Sequence, residues 1–175
     1  MDVKALYKLS YGMFIVCSKK GDKVNGQIAN TVFQITSEPP TIAVSINRNN
    51  LTHSYISESK VFTASILSIT TPLSFIGGFG FRSGKDVNKF TGINFKLGKT
   101  GAPVILDNTV AYIEATVIKQ LDVGTHTIFV GEIADAEILN DKEIMTYSNY
   151  HLVRRGTTPT TAPTFIAEPK ESKAA

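Results

Sequence analysis

Residues 25–52 read NGQIANTVFQITSEPPTIAVSINRNNLT, and the rest of the chain is organised around them. Two runs rich in apolar and β-branched residues, 29–36 and 41–47, flank a break at Glu38-Pro39-Pro40, which predicts two strands with an irregular connection. Gly26 permits close backbone approach at one end. Polar side chains crowd both ends of the segment: Gln27, Asn30, Thr31, Ser45, Asn47, Asn50, Thr52 and His53. Polar edges around an apolar body suit a flat organic ligand better than a metal ion or a nucleophile.

Length and composition indicate one ordinary globular domain. The 175 residues suffice for a sizeable core, and we predict a domain over residues 1–166 with a polar, frayed tail over 167–175. The net charge is +3, without a dense stripe of lysine and arginine, so no nucleic-acid partner is predicted. No apolar run approaches the roughly 20 residues that span a bilayer, and no leader opens the chain. We therefore predict a cytoplasmic protein without a membrane partner.

The number of cysteines also favours a cytoplasmic protein. Cys17 is the single cysteine, which excludes an internal disulfide and a zinc site built from several cysteines, and favours a reducing interior. Its apolar surroundings in residues 13–18 predict a buried hydrophobe and not a reactive thiol. No metal site is predicted. Neither a nucleophile with its base nor paired catalytic carboxylates stand out.

The remaining pattern is mainly β. We predict strands over 13–18 and 61–67, a hairpin formed by 111–119 and 127–139, and a meander for the first strands. An amphipathic helix is predicted over 1–10 and a short one over 72–79, behind Thr70 or Thr71 as cap. Short strands, few helices and turns about every ten residues favour an antiparallel barrel, which leaves few exposed sheet edges.

Two features are each able to bind an anion. A helix that begins at Thr52, with this residue as N-cap, aims free N–H groups and a positive dipole end at whatever precedes it. The second feature is the glycine-rich segment 77–90, where Arg82 offers a forked guanidinium and Lys89 or Lys85 a point charge. It lacks the Gly-Lys-Thr/Ser ending of a P-loop and the strand and long helix of a Rossmann unit. Taken alone, its glycines favour a surface loop over a phosphate site.

Several segments together resemble the flavin reductase-like, FMN-binding split-barrel family over nearly the whole chain. They are Tyr11-Gly12, 25–34, Pro39-Pro40, 47–53, 79–84, Lys89-Phe90 and 124–132. Within that family the likeness is strongest to ferric reductases and to flavin domains linked to rubredoxin. The rubredoxin-linked relatives carry an iron domain with paired cysteines. With Cys17 alone, this chain is expected to be a stand-alone flavin protein or part of a longer one.

The resemblance implies an antiparallel Greek-key split β-barrel that forms a homodimer with one FMN per subunit near the interface. Family members reduce the flavin with NADH or NADPH and pass the electrons to a ferric chelate, a free flavin or a redox protein. It implies that residues Gln27, Ile28, Ala29, Asn30 and Thr31 edge the flavin ring, with Ser45, Ile46 and Asn47 beneath it. It implies phosphate contacts from Thr52, His53, Arg82 and Lys89, and a ring cover from Phe79 or Phe81. Helix and glycine segment then converge on one phosphate, which favours the anion-site interpretation.

The histidines keep two interpretations each. His126 starts a strand after a glycine turn, so it either packs on Phe129 or a tyrosine, or lies beside the nicotinamide or acceptor as a catalytic group. His53 either contacts the phosphate or lies on the surface, and His151 is predicted to be at the surface. Five phenylalanines are predicted to be mostly core: Phe33, Phe62, Phe90, Phe95 and Phe129. Two other functions stay open: an electron-transfer flavoprotein that docks a redox protein, and a flavin-binding module without redox activity.

Overall fold

The computed structural model describes residues 2–166, apart from the side chains of Val3 and Lys4. The predicted tail, 167–175, lies outside the described residues. The strands are β1 (Phe14–Lys20), β2 (Lys23–Ala29), β3 (Val32–Ser37), β4 (Pro40–Asn47), β5 (Val61–Leu67), β6 (Phe95–Leu97), β7 (Pro103–Ile105), β8 (Thr109–Val123) and β9 (His126–Ile138). The helical segments are a 3-10 helix (Val3–Lys8), α1 (Leu51–Ser59), α2 (Leu73–Gly80) and a π-helical turn (Asn149–Val153).

Seven strands form one antiparallel sheet in the order β2-β1-β5-β8-β9-β4-β3, and β6 pairs with β7. This is the predicted mainly β, Greek-key split barrel with few short helices. The predicted hairpin is confirmed as β8–β9, and β1 pairs with β2 and β3 with β4 in the same antiparallel way. The predicted meander is wrong, because β2 and β3 lie at opposite ends of the strand order and β4 pairs instead with the distant β9. The gap between β2 and β3 is the split in the barrel.

β1 is buried on both faces and separates two apolar cores. Its alternation places Ile15 and Cys17 in one core and Val16 in the other. The first core also holds Met13, Leu67, Ile76, Phe79, Phe90, Ile105, Met145 and Tyr150, and the second holds Ala29, Ile42, Val44, Ile46, Ile56, Phe62, Ala64, Ala115 and Phe129. The prediction of a buried, inert Cys17 is confirmed, and burial raises the pKa of its thiol to about 12.

Close packing explains Gly26. A Cβ at this position would lie 2.6 Å from Cys17 Sγ and 3.3 Å from Phe79 Cε1, so any larger residue would push β2 away from β1 and α2. Among the five phenylalanines, Phe62, Phe90 and Phe129 are buried. Phe95 is half-buried against the first core. Phe33 is 53% exposed on edge strand β3, so its assignment to the core is wrong.

The helix boundaries correct several predictions. α1 begins after Asn50 and α2 after Pro72, and neither cap residue makes a side-chain capping bond. Thr52 is therefore inside α1 and not its cap; its Oγ1 accepts a hydrogen bond of 2.8 Å from Asn25 Nδ2. Neither proposed cap of α2 is its N-cap: Thr71 Oγ1 donates instead to the Ser68 carbonyl at 2.6 Å.

The glycine-rich segment is only partly a loop. Gly77, Gly78 and Gly80 belong to α2, because the helix buries Ile76 and Phe79 in the first core and this packing outweighs the low helix propensity of glycine. The amino-terminal helix is a 3-10 helix whose apolar side chains Leu6 and Tyr7 are exposed. None of the helices in the described range combines the length and apolarity that crossing a bilayer demands.

Candidate functional site

A cavity of about 560 Å³ opens where the end of β2, the end of β4, the start of α1 and the end of α2 meet. Its volume lies in the range of roughly 300–1,000 Å³ that is typical of cofactor and small-molecule sites. The apolar wall comes mainly from Ile28, Ile76 and Phe79. Polar groups from β2, β4 and α1 line the rest, so the cavity combines an apolar wall with polar edges.

Most of the predicted ligand residues meet at this cavity. They are Gln27, Ile28, Ala29, Asn30, Ser45, Asn47, Thr52, Phe81, Arg82 and Lys89. β2 is an edge strand, so one side of its backbone has no neighbouring strand within the described chain and faces the split. The turn after α2 packs closely on Asn25 at Gly84, because a Cβ at this position would collide with the Asn25 side chain.

Besides His53, two predicted ligand residues lie outside the cavity. Ile46 is fully buried in the second core, since it lies between Ser45 and Asn47 on a strand whose side chains alternate faces. Thr31 Oγ1 donates to Asn30 Oδ1 at 3.0 Å, and the Thr31 carbonyl accepts from the Ser45 N–H at 3.1 Å. Both residues thus fix their cavity-lining neighbours without lining the cavity themselves.

His53 lies against β9 and not in the cavity. Its Nε2 is 2.8 Å from Thr127 Oγ1, and its ring packs on Phe129 with centroids 5.3 Å apart. The Thr127 hydroxyl donates to Asp122 at 2.6 Å, so Nε2 carries the proton that His53 gives to Thr127. Burial lowers the pKa of His53, and Arg48 lowers it further, while Asp122 opposes the shift. Neither interpretation drawn from the sequence, phosphate contact or plain surface, describes this side chain.

His126 lines a second, smaller cavity of about 360 Å³ together with Val123, Ile128 and Phe165. Its Nδ1 is 2.8 Å from Thr125 Oγ1 and its Nε2 is 3.2 Å from the Thr161 carbonyl. Since a carbonyl only accepts, Nε2 carries a proton in this arrangement. Phe129, the predicted packing partner of His126, packs on His53 instead.

The first cavity has a cationic end. Arg82 is exposed there and forms no hydrogen bond or ion pair within the described residues, so its five donors are free. Leu51 and Thr52, the first residues of α1, line the same cavity, and the N–H groups of a first helical turn have no partner within the helix. Together they provide the charge and the donors that a phosphate group requires.

Lys89 is more constrained than Arg82. Its Nζ donates to the Gly26 carbonyl at 3.0 Å and to the Phe79 carbonyl at 2.9 Å, which ties β2 to the end of α2. Burial lowers the pKa of Lys89 to about 8, although the two carbonyl acceptors favour the charged ammonium. One N–H remains for a ligand, so Lys89 serves first to hold the cavity wall together.

A buried polar atom on the wall lacks a partner. Gln27 Oε1 is shielded from solvent and accepts no hydrogen bond within the described chain. Leaving such an acceptor unpaired costs about 1–3 kcal/mol, and a ligand N–H or O–H group that reached it from the cavity would remove this cost. A flavin ring, with its imide edge, carries such a group, and its phosphate would match the cationic end of the cavity.

The sequence patterns missed the carboxyl-terminal side of the cavity. Residues 157–163 line it together with Tyr147 and Tyr150, and residues 157–164 are here called the strap. His151 is not a plain surface residue, because its ring packs 4.3 Å from that of Tyr147 and its Nε2 is 3.1 Å from Thr158 Oγ1. Burial lowers the pKa of His151. The tyrosines among 147–150 were the one signal that this segment packs.

A split barrel whose polar-edged cavity is lined by a free guanidinium and by the first turn of a helix suits a phosphate-bearing cofactor such as a flavin nucleotide. The chain belongs to the flavin reductase-like family, since residues 6–155 match the family model described as "Flavin reductase like domain". It is accordingly a flavin-dependent oxidoreductase. The strap lies just beyond the matched region.

Two curated relatives are similar over nearly the whole chain. A high molecular weight rubredoxin of Moorella thermoacetica is 55% identical over 175 residues, which are 100% of this chain and 76% of that protein. A ferric-chelate reductase (NAD(P)H) of Archaeoglobus fulgidus is 53% identical over 166 residues, 95% of this chain and 98% of that protein. Among solved structures, the flavin reductase HpaC complexed with NADP+ has a TM-score of 0.71 at 26% identity, covering 83% of this chain and 90% of that one.

Proposed function

We propose that this chain binds FMN in the larger cavity, takes reducing equivalents from NADH or NADPH, and delivers them to a ferric chelate or a free flavin. The observation that carries the proposal is the pairing, in one cavity, of an unpartnered Gln27 acceptor with a free Arg82 guanidinium. The ferric-chelate reductase that is 53% identical to the chain supports the choice of electron donor and acceptor. Bound flavin would supply the redox chemistry, hydride acceptance and onward electron transfer.

The protein's own contribution is binding and orientation. Gln27 Oε1 accepts from the ring's donor edge, and the free backbone edge of β2, from Gln27 to Ala29, lies along the same side. Ser45, Asn47 and Asn30 give the opposite polar edge, while Ile28 and Phe79 exclude water from the ring. Thr31 and Ile46 act through the neighbours that they fix.

The phosphate end is assigned to Arg82, to the first turn of α1 at Leu51 and Thr52, and to the remaining N–H of Lys89. His53 stands outside this set, since its imidazole bonds to Thr127. One helix N-terminus and one guanidinium suffice for a single phosphate group. We therefore propose FMN, which carries one phosphate, as the flavin.

His126 is assigned to the dinucleotide side of the flavin. Its protonated Nε2 lies on the smaller cavity, which shares the lining residues Ser45 and Asn47 with the larger one. There it offers an N–H to a carbonyl oxygen of a bound dinucleotide. His126→Ala is expected to raise the KM for the dinucleotide and to leave the flavin content unchanged; loss of flavin would contradict this placement.

A second candidate acceptor is a redox protein. It is supported by the relative named high molecular weight rubredoxin, 55% identical to this chain. Steady-state rates with ferric citrate and with an oxidised rubredoxin separate the two, because negligible turnover on every small acceptor would exclude the chelate reductase. A yellow protein that neither NADH nor NADPH bleaches would contradict both candidates.

We also propose a cytoplasmic homodimer with the flavin near its interface. The outer edge of β8 has no neighbouring strand beyond Val117 among the described residues, and it carries the exposed side chains Ile118, Leu121 and Val123. Val123 also lines the smaller cavity, so a second copy docked there would border the site. Sedimentation equilibrium of the flavin-loaded protein tests the dimer; a monomer at micromolar concentration would contradict it.

The deciding experiment is an absorption spectrum of the purified protein before and after anaerobic addition of NADH and then NADPH. Flavin bands that bleach, and that return when a ferric chelate is added, are the expected result. A protein that stays colourless after incubation with FMN would remove the proposal.

A further inference from the structure

The strap stands between the two cavities. The larger and the smaller cavity share Ser45 and Asn47 on the sheet side, and on the other side they share the strap residues Thr160, Ala162 and Pro163. The strap is therefore a wall common to both cavities.

The strap is held by side chains and not by the sheet. In the described range, the backbone hydrogen bonds of residues 157–166 are local turns, from Ala162 N–H to the Pro159 carbonyl and from Phe165 N–H to the Ala162 carbonyl. Four side chains pin the strap: Asn30 Nδ2 to Thr164 Oγ1 at 2.9 Å, Tyr147 Oη with Thr158 and Thr164, Tyr150 Oη to the Thr157 carbonyl, and His151 Nε2 with Thr158. Segments that lack ladder bonds are the ones that open at low free-energy cost.

A fifth side chain, His126, joins the strap to the proposed site. The Thr161 carbonyl accepts a hydrogen bond from His126 Nε2, 3.2 Å away. Thr161 also lines the larger cavity. A backbone amide of the strap thus occupies the donor that we assign to the dinucleotide.

We propose that the strap is a displaceable cover whose Thr161 peptide carbonyl holds the place of the nicotinamide carboxamide at His126, so that the dinucleotide enters by displacing residues 157–164. The inference rests on the proposed function, since it requires that a nicotinamide dinucleotide binds beside the flavin. The exchange conserves hydrogen bonds: one amide carbonyl leaves the His126 N–H and another takes its place. It also joins the two cavities into a continuous cleft along Ser45 and Asn47.

Only molecules whose strap is open can bind the dinucleotide. The apparent Kd is therefore the intrinsic Kd divided by the fraction of open molecules. Weakening the strap's pins therefore strengthens dinucleotide binding. A strap that closes over bound dinucleotide has the opposite signature, because the same pins would then contribute to binding.

The test is hydrogen exchange of the flavin-loaded protein, with and without saturating NAD+ or NADP+. We expect exchange of the amides in residues 157–164 to accelerate when the dinucleotide binds, while those in β1 and β5 stay protected. Slower or unchanged exchange in the strap, in a sample whose flavin is bleached by the reduced dinucleotide, overturns the inference and leaves the proposed function intact. A flavin that neither dinucleotide bleaches overturns both.

Two variants test the pins. Thr164→Val removes the acceptor of Asn30 and the partner of Tyr147, and His151→Phe keeps the ring packing but removes the bond to Thr158. Each should accelerate strap exchange without ligand and lower the Kd for NAD+ or NADP+ about three- to tenfold, the effect of losing one or two ordinary hydrogen bonds from the closed form.

Thr164→Ser is the matched control, because it keeps the hydroxyl and should behave as the parent protein. Flavin affinity is measured in every variant. A weaker dinucleotide Kd in Thr164→Val or His151→Phe, at unchanged flavin affinity, overturns the displaceable cover.

Discussion

Arg82 is the residue on which the phosphate assignment depends. Its guanidinium is free and exposed at the cationic end of the larger cavity. Replacing it with alanine removes one charged hydrogen-bonding group from the proposed phosphate, so Arg82→Ala should weaken FMN binding by roughly 1–3 kcal/mol. The measurement is fluorescence titration of the apoprotein with FMN at fixed salt concentration.

Lys85→Ala is the control for Arg82. Lys85 carries the same charge in the same turn, is exposed, and does not line the cavity. It should retain FMN, apart from a small long-range effect that added salt removes. Equal losses in both variants, or none in Arg82→Ala, would show that Arg82 does not contact the phosphate.

His53 makes stability depend on pH. Because burial lowers its pKa below the usual 6.5, the unfolded chain takes up a proton on this side chain at a pH where the folded chain does not. The free energy of unfolding should therefore fall as the pH is lowered through about 6.5. His151 has the same sign of shift and adds to the effect.

Urea titrations at pH 7.5 and 5.5 measure this dependence. The variant His53→Asn with His151→Asn is less stable at both pH values, because it loses the bonds to Thr127 and Thr158, but its stability should change less between them. A pH dependence identical to that of the parent protein would mean that other groups carry it.

Among single residues, sequence patterns correctly predict cavity-lining side chains where a polar or charged residue type stands at a strand end or beside glycines. Gln27, Ser45 and Arg82 are predictable because polar groups at strand ends and cations near glycines are typical of ligand sites. The prediction for His53 is wrong because its side-chain direction depends on β9, which is distant in sequence. Ile46 was predicted as a ligand residue together with its neighbours Ser45 and Asn47. Side chains alternate along a strand, however, so Ile46 points into the second core.

Among the helices and strands, α2 is destabilised by glycines that neither packing nor the cavity requires. Gly77 and Gly78 lie inside the helix and do not line the cavity, and a Cβ added at either position would have no neighbouring atom within 4 Å. Alanine at each site should stabilise the protein by about 0.5–1 kcal/mol, because it reduces the backbone entropy lost on folding. Urea denaturation measures the gain, and FMN affinity should not change.

Gly26→Ala is the contrasting substitution. Its Cβ would lie 2.6 Å from Cys17 Sγ, so we expect destabilisation of about 1–3 kcal/mol from overpacking. A destabilising effect of Gly77→Ala would instead indicate that α2 must bend at its glycines.

The elements themselves were largely readable from the sequence. β5 is predicted at its observed bounds because 61–67 is an uninterrupted alternating run. The short helix predicted over 72–79 is confirmed as α2, and only Gly80 extends it into the segment otherwise predicted as a loop, because Ile76 and Phe79 are buried in the first core. The strap has no periodicity of its own, and hydroxyls of Tyr147 and Tyr150 fix it, so no local pattern predicts it.

For the whole molecule, the division into two cores yields a paired prediction. Ile76 and Ile56 are both buried, but Ile76 lies in the first core and lines the larger cavity, while Ile56 lies in the second core. Isoleucine to valine at either site should cost about 0.5–1.5 kcal/mol of unfolding free energy. Only Ile76→Val should also weaken FMN binding. Equal FMN affinity in the two variants would show that the first core does not support the cofactor.

The topology was beyond any local reading. The pairing of β4 with β9 joins Ala43 to Val130, and no turn signal connects partners so far apart. Only the resemblance to a family supplied the Greek-key order, whereas alternation alone favoured a meander. The hairpin β8–β9 was predictable because its turn, at Gly124-Thr125, has a local sequence signal between the two strands.

Without bound dinucleotide, the last described residues lie beside the smaller cavity. Phe165 lines the smaller cavity, and nine residues follow Ile166. Even fully extended, nine residues reach at most about 30 Å. Any module joined to Ala175 by a short linker would thus be confined near the smaller cavity, at an effective concentration on the order of millimolar. Attached there, a weakly binding electron carrier would meet the site by tethering, without needing a high-affinity docking surface of its own.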